Sequence, residues 1–191
     1  MPNYRRAFSP GGTFFFTLVT YRRAPFLCDE PPLSILRRAI NECRQRRPFR
    51  IDAFVILPDH IHAIWTLPDG DPDFSTRWAR IKLNFTREFL ASGGHERPIS
   101  PSRRHNRRRG VWQRRFWEHL IRDPDDFNRH LNYIHYNPVK HKLANCPHAW
   151  PYSSFNRWVE RETYAPDWSC ACAGRTPEAM NWRALDLTAM E

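Results

Sequence analysis

The chain has 191 residues, with 30 basic side chains against 20 acidic ones and a formal net charge of +10. This length fits one domain with a tail, and 41% hydrophobic residues are enough to build a buried core. No apolar run approaches membrane-spanning length and the first residues lack the apolar stretch of a secretory signal, so we expect no membrane partner.

Hydrophobic periodicity predicts a strand, a helix, two strands, a second helix and a further strand. In chain order these elements cover residues 13–20, 33–46, 49–57, 60–67, 74–90 and 115–122. Ser75 is predicted to cap the second helix, and Trp78 is predicted to lie on its buried stripe. The order of elements is typical of a ferredoxin-like α+β sandwich, an antiparallel sheet with helices on one face.

A last helix is predicted from Pro124 to about Asn137. Pro138 should end or kink it, because proline lacks an amide hydrogen and restricts the residue before it. Residues 92–110 are dense in Gly, Pro and Ser and predict a loop, which is Arg-rich from residue 93. We therefore divide the chain into a domain over residues 1–144 and an irregular tail over 145–191, packed on or near the domain.

His60 and His62 are the most informative pair on the predicted strands. Because side chains alternate along a strand, both imidazoles point to one side, while Ile61 and Ala63 point to the other. The pattern predicts a half-buried strand that presents two imidazoles, an arrangement suited to a divalent metal. Two histidines at the surface, or satisfied by hydrogen bonds, would give the same pattern.

The last predicted helix carries a candidate nucleophile. Beside an apolar stripe that includes Ile134, a second stripe is formed by His130, Tyr133 and Asn137. Tyr133 and Asn137 are neighbours one turn apart, on a flank that could face the histidine strand. A tyrosine of the core would also fit this position, and Tyr136 is a second candidate nucleophile on another side of the helix.

Arginine dominates the positive charge, since 27 of the 30 basic residues are Arg. Its planar fork suits phosphate and base edges, so a polyanionic partner is predicted. The densest group is Arg103–Arg109 in the predicted loop, which either clamps phosphates or forms a solvated, mobile segment. A GC-rich genome would also raise the arginine content.

The five cysteines are odd in number and irregularly spaced, which argues against a disulfide framework and for a reducing cytoplasm. An alternative is a four-ligand zinc site made by Cys146 and His148 with Cys170 and Cys172. Structural zinc more often uses two cysteines separated by two residues.

Three separated motifs together resemble a known family. They are Leu57-Pro-Asp-His-Ile-His62, Trp112-Gln-Arg-Arg-Phe-Trp-Glu-His-Leu-Ile-Arg-Asp123 and Tyr133-Ile-His-Tyr-Asn-Pro-Val-Lys140. In this order they resemble the single-tyrosine HUH transposases, and more closely the REP-associated tyrosine transposases. Shorter matches extend the resemblance over about residues 4 to 168.

The resemblance implies metal-dependent cleavage and rejoining of single-stranded DNA beside hairpins of repetitive extragenic palindromes. Tyr133 would attack a backbone phosphate and form a 5′-phosphotyrosine link. His60, His62 and Asn137 would hold Mg²⁺ or Mn²⁺. Some relatives have Gln in place of Asn137, and the shorter Asn side chain could alter the metal geometry. A chain acting at such DNA is expected in the bacterial cytoplasm, associated with the nucleoid.

The resemblance also suggests residues around the reaction. The family's Trp-Glu-His motif matches Trp117, Glu118 and His119, and Glu118 and His119 are assigned either to support of the site or to packing. The residues expected to contact DNA are Arg5, Arg6, Arg77, Trp78 and Lys82. No nucleotide cofactor is expected, because no phosphate-binding Gly-x-x-x-x-Gly-Lys loop occurs. A monomer is expected, with a helix-exchanged dimer as the alternative.

Two other functions fit the charge. The chain could be a non-catalytic protein that binds DNA hairpins as a regulator or structural factor, although such a binder needs neither the histidine pair nor the tyrosine. It could also bind RNA hairpins, which would leave the same residues unexplained.

Overall fold

The computed structural model describes residues 8–171. Within them lie β1 Thr13–Val19, α1 Pro32–Arg46, β2 Arg50–Ile56, β3 His60–Thr66, α2 Phe74–Ala91, α3 Pro101–His105, β4 Trp117–Leu120, α4 Pro124–Lys140 and α5 Phe155–Val159. Every predicted strand and helix is present, with ends close to the predicted ones. Each helix in the described range is too short or too polar to cross a bilayer.

The four strands form one antiparallel sheet in the order β2-β3-β1-β4. With the element order βαββαβ, this sheet confirms the predicted ferredoxin-like α+β class. The central strand β1 pairs Thr17 with His62 of β3 on one side and with Trp117 of β4 on the other. Paired residues share a face of the sheet, so this register fixes which side chains lie beside the histidines.

Both faces of the sheet are covered. Phe16 and Trp65 point to α1 and α2 and pack there in the larger hydrophobic core. Phe15, Val55 and Ile64 point to the opposite face and form a second core with residues of α4. The prediction of a half-buried histidine strand was therefore wrong in one respect, because α4 covers the face on which the imidazoles lie.

Three local predictions need correction. Asp73, not Ser75, caps α2, since its carboxylate accepts a hydrogen bond from the Thr76 amide at 2.9 Å. The predicted loop contains the short helix α3, which begins after Ser100. Pro138 does not end α4, which continues to Lys140, so the predicted end at about Asn137 was too early.

The segment after α4 packs against the edge of the sheet at β2. The Ile56 amide donates to the Tyr152 carbonyl at 2.8 Å, and the Phe54 amide donates to the Ser154 hydroxyl at 2.9 Å. The Phe155 ring is 1% exposed and belongs to the core under α4. These contacts fix the segment beside the helix that carries Tyr133.

Candidate active site

The two imidazoles of β3 lie side by side beneath α4. The ring centroids of His60 and His62 are 4.9 Å apart, and the two residues are 5% and 2% exposed. Their common side of the strand follows from the period-two alternation, as predicted.

Each imidazole has one nitrogen held by a neighbour. His60 donates from Nδ1 to the Asp59 carboxylate at 2.6 Å, and Arg23 donates to the other carboxylate oxygen at 3.1 Å. Burial works to raise the pKa of Asp59, but the bonds from His60 and Arg23 lower it to about 2. His62 Nδ1 pairs with the Thr17 hydroxyl at 2.8 Å. These bonds orient both rings and engage Nδ1 of each, so Nε2 is the nitrogen that each ring could offer to a metal ion.

His62 is held in its neutral form. Burial is the main cause that lowers its pKa well below the ordinary value, and the nearby basic side chains of His60, His141, Lys140 and Arg23 act in the same direction. Its Nε2 is buried and has no hydrogen-bond partner among the described residues. A neutral imidazole with a buried, unused nitrogen is suited to bind a metal ion.

Tyr133 reaches the histidine pair from α4. Its ring centroid lies 5.0 Å from that of His62, and the side chain is 2% exposed. The Lys140 ammonium lies 5.2 Å from the centroid of the Tyr133 ring. The structure therefore brings the Tyr133 ring, a cation and the two imidazoles into one region.

A small cavity of about 110 Å³ lies beside these groups. It is lined by Thr17, Val19, Arg23, His60, His62, Tyr133 and His141. A cavity of this volume admits an ion or a small group, but not a nucleotide, so a larger substrate can reach these groups only from the mouth of the cavity.

Asn137 lies one turn beyond Tyr133 and is completely buried. Its amide nitrogen donates to the Tyr133 carbonyl at 3.1 Å, while Oδ1 has no hydrogen-bond partner within residues 8–171. A buried amide oxygen without a partner is costly unless something else satisfies it. Oxygen is also a donor that Mg²⁺ and Mn²⁺ prefer.

Two residues of the site were missed by sequence reasoning. His141 lies just beyond α4, with its ring centroid 5.1 Å from that of His60, and Arg23 lines the same cavity. His141 follows directly after the Tyr133–Lys140 motif and could have been included by extending the helix by one residue. Arg23 lies in an irregular turn after β1, where no periodic signal marks it.

The predicted supporting residues Glu118 and His119 are separated by the sheet. Glu118 pairs with Phe16 and therefore lies on the face covered by α1 and α2, which contradicts a direct role beside Tyr133. His119 pairs with Phe15 on the same face as the site. The alternation along β4 explains the separation.

His119 belongs to a second cluster on that face. Its Nε2 lies 2.8 Å from the Asp126 carboxylate, and its ring stacks on His130 at 4.6 Å between centroids. Ligand atoms of His119, Asp126 and His130 all lie within 4.8 Å of one another, a geometry that could hold a metal ion. His130 is one turn before Tyr133, so this cluster contacts the tyrosine helix from the β4 side.

The predicted DNA contacts on α2 are placed differently from expectation. Trp78 is 1% exposed and stacks on Trp65 in the core, with 3.8 Å between the ring centroids. The prediction that Trp78 is buried is therefore confirmed, and the prediction that it contacts DNA is contradicted. Lys82 donates to the Gln113 carbonyl at 2.5 Å and so holds the segment before β4. Arg5 and Arg6 lie outside the described residues.

Arg77 is also buried, which contradicts its assignment as a DNA contact. Its guanidinium is 1% exposed and donates to the Asp71 carboxylate at 2.7 Å, and to the carbonyls of Arg47, Pro48 and Asp73. It thereby joins the start of α2 to the end of α1 inside the domain.

Arg77→Ala is expected to lower the free energy of unfolding by about 3 kcal/mol, because it leaves a carboxylate and three carbonyls without their buried donor. Urea unfolding followed by circular dichroism measures this change. Arg80→Ala, on the exposed side of the same helix, is the matched control and should change stability little. A stable Arg77→Ala protein that has lost hairpin binding would contradict the structural role.

The arginines of the loop after α2 divide into two groups. Arg103 donates to the carbonyls of Arg109 and Trp112, and its guanidinium lies 4.2 Å from the Tyr21 ring centroid. Arg109 forms an ion pair with Glu96. These two residues hold the loop in place and are already engaged within the chain.

The second group faces outward. Arg104 and Arg107 are exposed and Arg108 is half-buried, and all three line a surface cleft of about 530 Å³ beside Glu96 and Arg97. Arg97 and Arg109 line the same cleft, which therefore has five arginines beside one glutamate, and such a cluster creates a positive potential that attracts polyanions.

Comparison with known proteins gives close relatives. A REP-associated tyrosine transposase of Escherichia coli is 43% identical over 170 residues, which cover 88% of this chain and 92% of that protein. A Haemophilus influenzae protein that provisionally bears the same name is 44% identical over 169 residues, covering 88% of this chain and 93% of its own. No protein-family model matches.

A solved structure is also similar over most of its length. It is described as a REP-associated tyrosine transposase bound to a REP hairpin, and it superposes with a TM-score of 0.72 at 43% identity. The match covers 88% of this chain and 91% of that one.

Proposed function

The chain belongs to the REP-associated tyrosine transposases, and on that premise we propose that it cleaves and rejoins single-stranded DNA at palindromic hairpins through a covalent link to Tyr133. One observation carries the proposal: the ring centroids of Tyr133 and His62 lie 5.0 Å apart, and both residues line a cavity that His60 also lines. A tyrosine that served only the core would not need two imidazoles and an ammonium group beside its ring.

The donor atoms of His60, His62 and Asn137 are of types that suit a divalent ion; the two histidines line the cavity, and Asn137 is buried one turn beyond Tyr133. Nε2 of His62 and Oδ1 of Asn137 are buried atoms without hydrogen-bond partners in the described range. Nε2 of His60 is the third donor, because its Nδ1 is bonded to Asp59. When bound, Mg²⁺ or Mn²⁺ supplies Lewis-acid polarisation of the phosphoryl oxygen.

The chain's own residues prepare the remaining chemistry. The Tyr133 hydroxyl must lose its proton before the oxygen attacks phosphorus, and the Lys140 ammonium near the ring stabilises the resulting negative charge. A bond forms between this oxygen and phosphorus, while the bond from phosphorus to the 3′-oxygen breaks. The 3′-oxygen takes up a proton and leaves as a hydroxyl.

The ester energy is conserved in this exchange. The same 3′-hydroxyl, or that of another strand, can attack the phosphotyrosine and restore a phosphodiester, so rejoining needs no nucleoside triphosphate. The Arg23 guanidinium lines the cavity and is suited to position the phosphate, because a guanidinium group can bind two phosphate oxygens at once.

The outward group of loop arginines is the proposed contact to the hairpin backbone. Replacing Arg104, Arg107 and Arg108 by alanine should make the slope of log affinity against log salt concentration shallower. The expected change is about 2 if each arginine contacts one phosphate of a single strand, because each such contact contributes about 0.7. Fluorescence-anisotropy titrations at several salt concentrations measure this slope. Replacing Arg37 and Arg46 on α1 is the control, and an unchanged slope in the loop variant would exclude phosphate contacts there.

A covalent-capture assay tests the function as a whole. The full chain is incubated with end-labelled single-stranded DNA carrying a palindrome, with Mn²⁺ or with EDTA, and resolved under denaturing conditions. We expect a labelled protein band only with the metal. Tight hairpin binding without any adduct would favour the non-catalytic binder, and preference for an RNA hairpin would favour the RNA-binding alternative.

A further inference from the structure

Two cysteines and a histidine meet at the ends of the segment that packs against β2. Cys146 and Cys170 are joined as a disulfide, with their Cα atoms 4.3 Å apart, although the number and spacing of the cysteines had argued against a disulfide framework. The Ala171 amide donates to the Asn145 carbonyl at 2.9 Å, so the backbones of both ends are aligned as well.

His148 lies beside the disulfide and adds a third metal-ligating side chain to the two cysteines. Its imidazole and the sulfurs of Cys146 and Cys170 have ligand atoms within 4.8 Å of one another. Cys146 is fully buried, while His148 is exposed and Cys170 is half-buried, so the group opens to solvent on one side. Two sulfurs and one imidazole are a typical partial ligand set for zinc.

The other thiols in the described range, Cys28 and Cys43, do not belong to this group of close ligand atoms. Burial, together with Asp29 and Asp59, raises the pKa of the Cys28 thiol to about 12, so Cys28 stays protonated. Cys43 is buried between α1 and α2 in the larger core. Neither thiol is therefore placed to complete or compete for a metal site near Cys146.

We propose that, in the reduced protein, Cys146, His148 and Cys170 bind a Zn²⁺ ion. A dithiol reductant delivers two electrons and two protons to the disulfide and is itself oxidised to a disulfide. Zn²⁺ then displaces the two thiol protons, while the neutral imidazole binds without proton release. Cys172, the fourth member of the zinc set considered from the sequence, lies outside the described residues.

The role of this site is structural. Cys146 and Cys170 are separated by 24 positions along the chain. The segment between them carries the Phe155 ring, which lies in the core, and the Trp158 indole, which donates to the Asp52 carbonyl at 3.1 Å. Closing this loop with a metal would hold the segment against β2 and α4. The site is separate from the residues proposed to act on DNA.

Cobalt binding tests the proposal with the full chain. Reduced, metal-free protein is titrated with Co²⁺, and thiolate ligation is read from its charge-transfer absorption, which imidazole and amide ligands do not produce. We expect one thiolate-bound ion per chain, displaced by Zn²⁺, and a lower melting temperature after chelation.

Variants make the result specific. Cys170→Ser and His148→Ala should each weaken Zn²⁺ binding at least about tenfold, because each removes one ligand. Neither side chain is fully buried, so the fold should tolerate both substitutions. Cys28→Ser is the matched control and should bind as the wild type does. Absence of the thiolate absorption in the reduced protein, or an undiminished metal affinity in Cys170→Ser, would overturn the proposal in favour of a disulfide alone.

Discussion

Tyr133→Phe is expected to abolish covalent capture of hairpin DNA, with a loss of at least about 10⁴-fold relative to the wild type. The substitution removes one oxygen from a buried ring that keeps its contacts with Phe15 and His62. The fold and the hairpin affinity should therefore change little, and only bond formation to phosphorus should be lost. Denaturing electrophoresis of end-labelled DNA measures the adduct, and anisotropy measures binding.

Tyr136→Phe is the matched control for this experiment. Tyr136 is on the same helix but is more exposed than Tyr133 and does not line the cavity beside the histidines. Its variant should form the adduct at the wild-type rate. An adduct that survives Tyr133→Phe and disappears in Tyr136→Phe would show that Tyr136 is the nucleophile and would contradict the role proposed for Tyr133.

His62→Gln is expected to give the second large effect, a loss of cleavage of about 10³-fold, corresponding to roughly 4 kcal/mol of transition-state stabilisation. The reason is that His62 contributes a neutral, buried nitrogen whose orientation is set by Thr17. Mn²⁺ affinity, measured by calorimetry on the DNA-free protein, should fall in parallel. Hairpin affinity measured in EDTA should stay close to that of the wild type.

His135→Gln controls for loss of a buried histidine. Burial is the main cause that lowers the pKa of His135 to about 3, and its Nε2 pairs with the Ser154 hydroxyl away from the cavity. This variant should retain Mn²⁺ binding and cleavage, at the cost of some stability. Equal Mn²⁺ affinity in His62→Gln and the wild type would show that the ion binds elsewhere.

Residues whose placement follows from strand or helix periodicity were predicted well. The alternation around His60 and His62 fixed their common face, and the stripe on α4 placed Tyr133 and Asn137 together on its buried side. Local repeat geometry is short-range and does not depend on the rest of the chain, which is why it could be derived from the sequence.

Predictions carried only by resemblance were less accurate at the level of single residues. Arg77 and Trp78 are adjacent on α2 and were assigned to DNA, but the helix rotation that buries Trp78 also turns Arg77 into the domain. Glu118 and His119 are adjacent on a strand and must face opposite sides, a signal that was present in the sequence. His141 depended on the continuation of α4 past Pro138, which periodicity did not reveal.

The central claim is that a divalent ion held by the β3 histidines meets the hydroxyl end of Tyr133. Anomalous diffraction from crystals of the Tyr133→Phe protein with Mn²⁺ and a hairpin substrate locates that ion directly. We expect one peak bonded to Nε2 of both histidines and facing Asn137 Oδ1, next to the phosphate to be cut. A peak held instead by His119, Asp126 and His130, with the β3 imidazoles bare, would contradict the account.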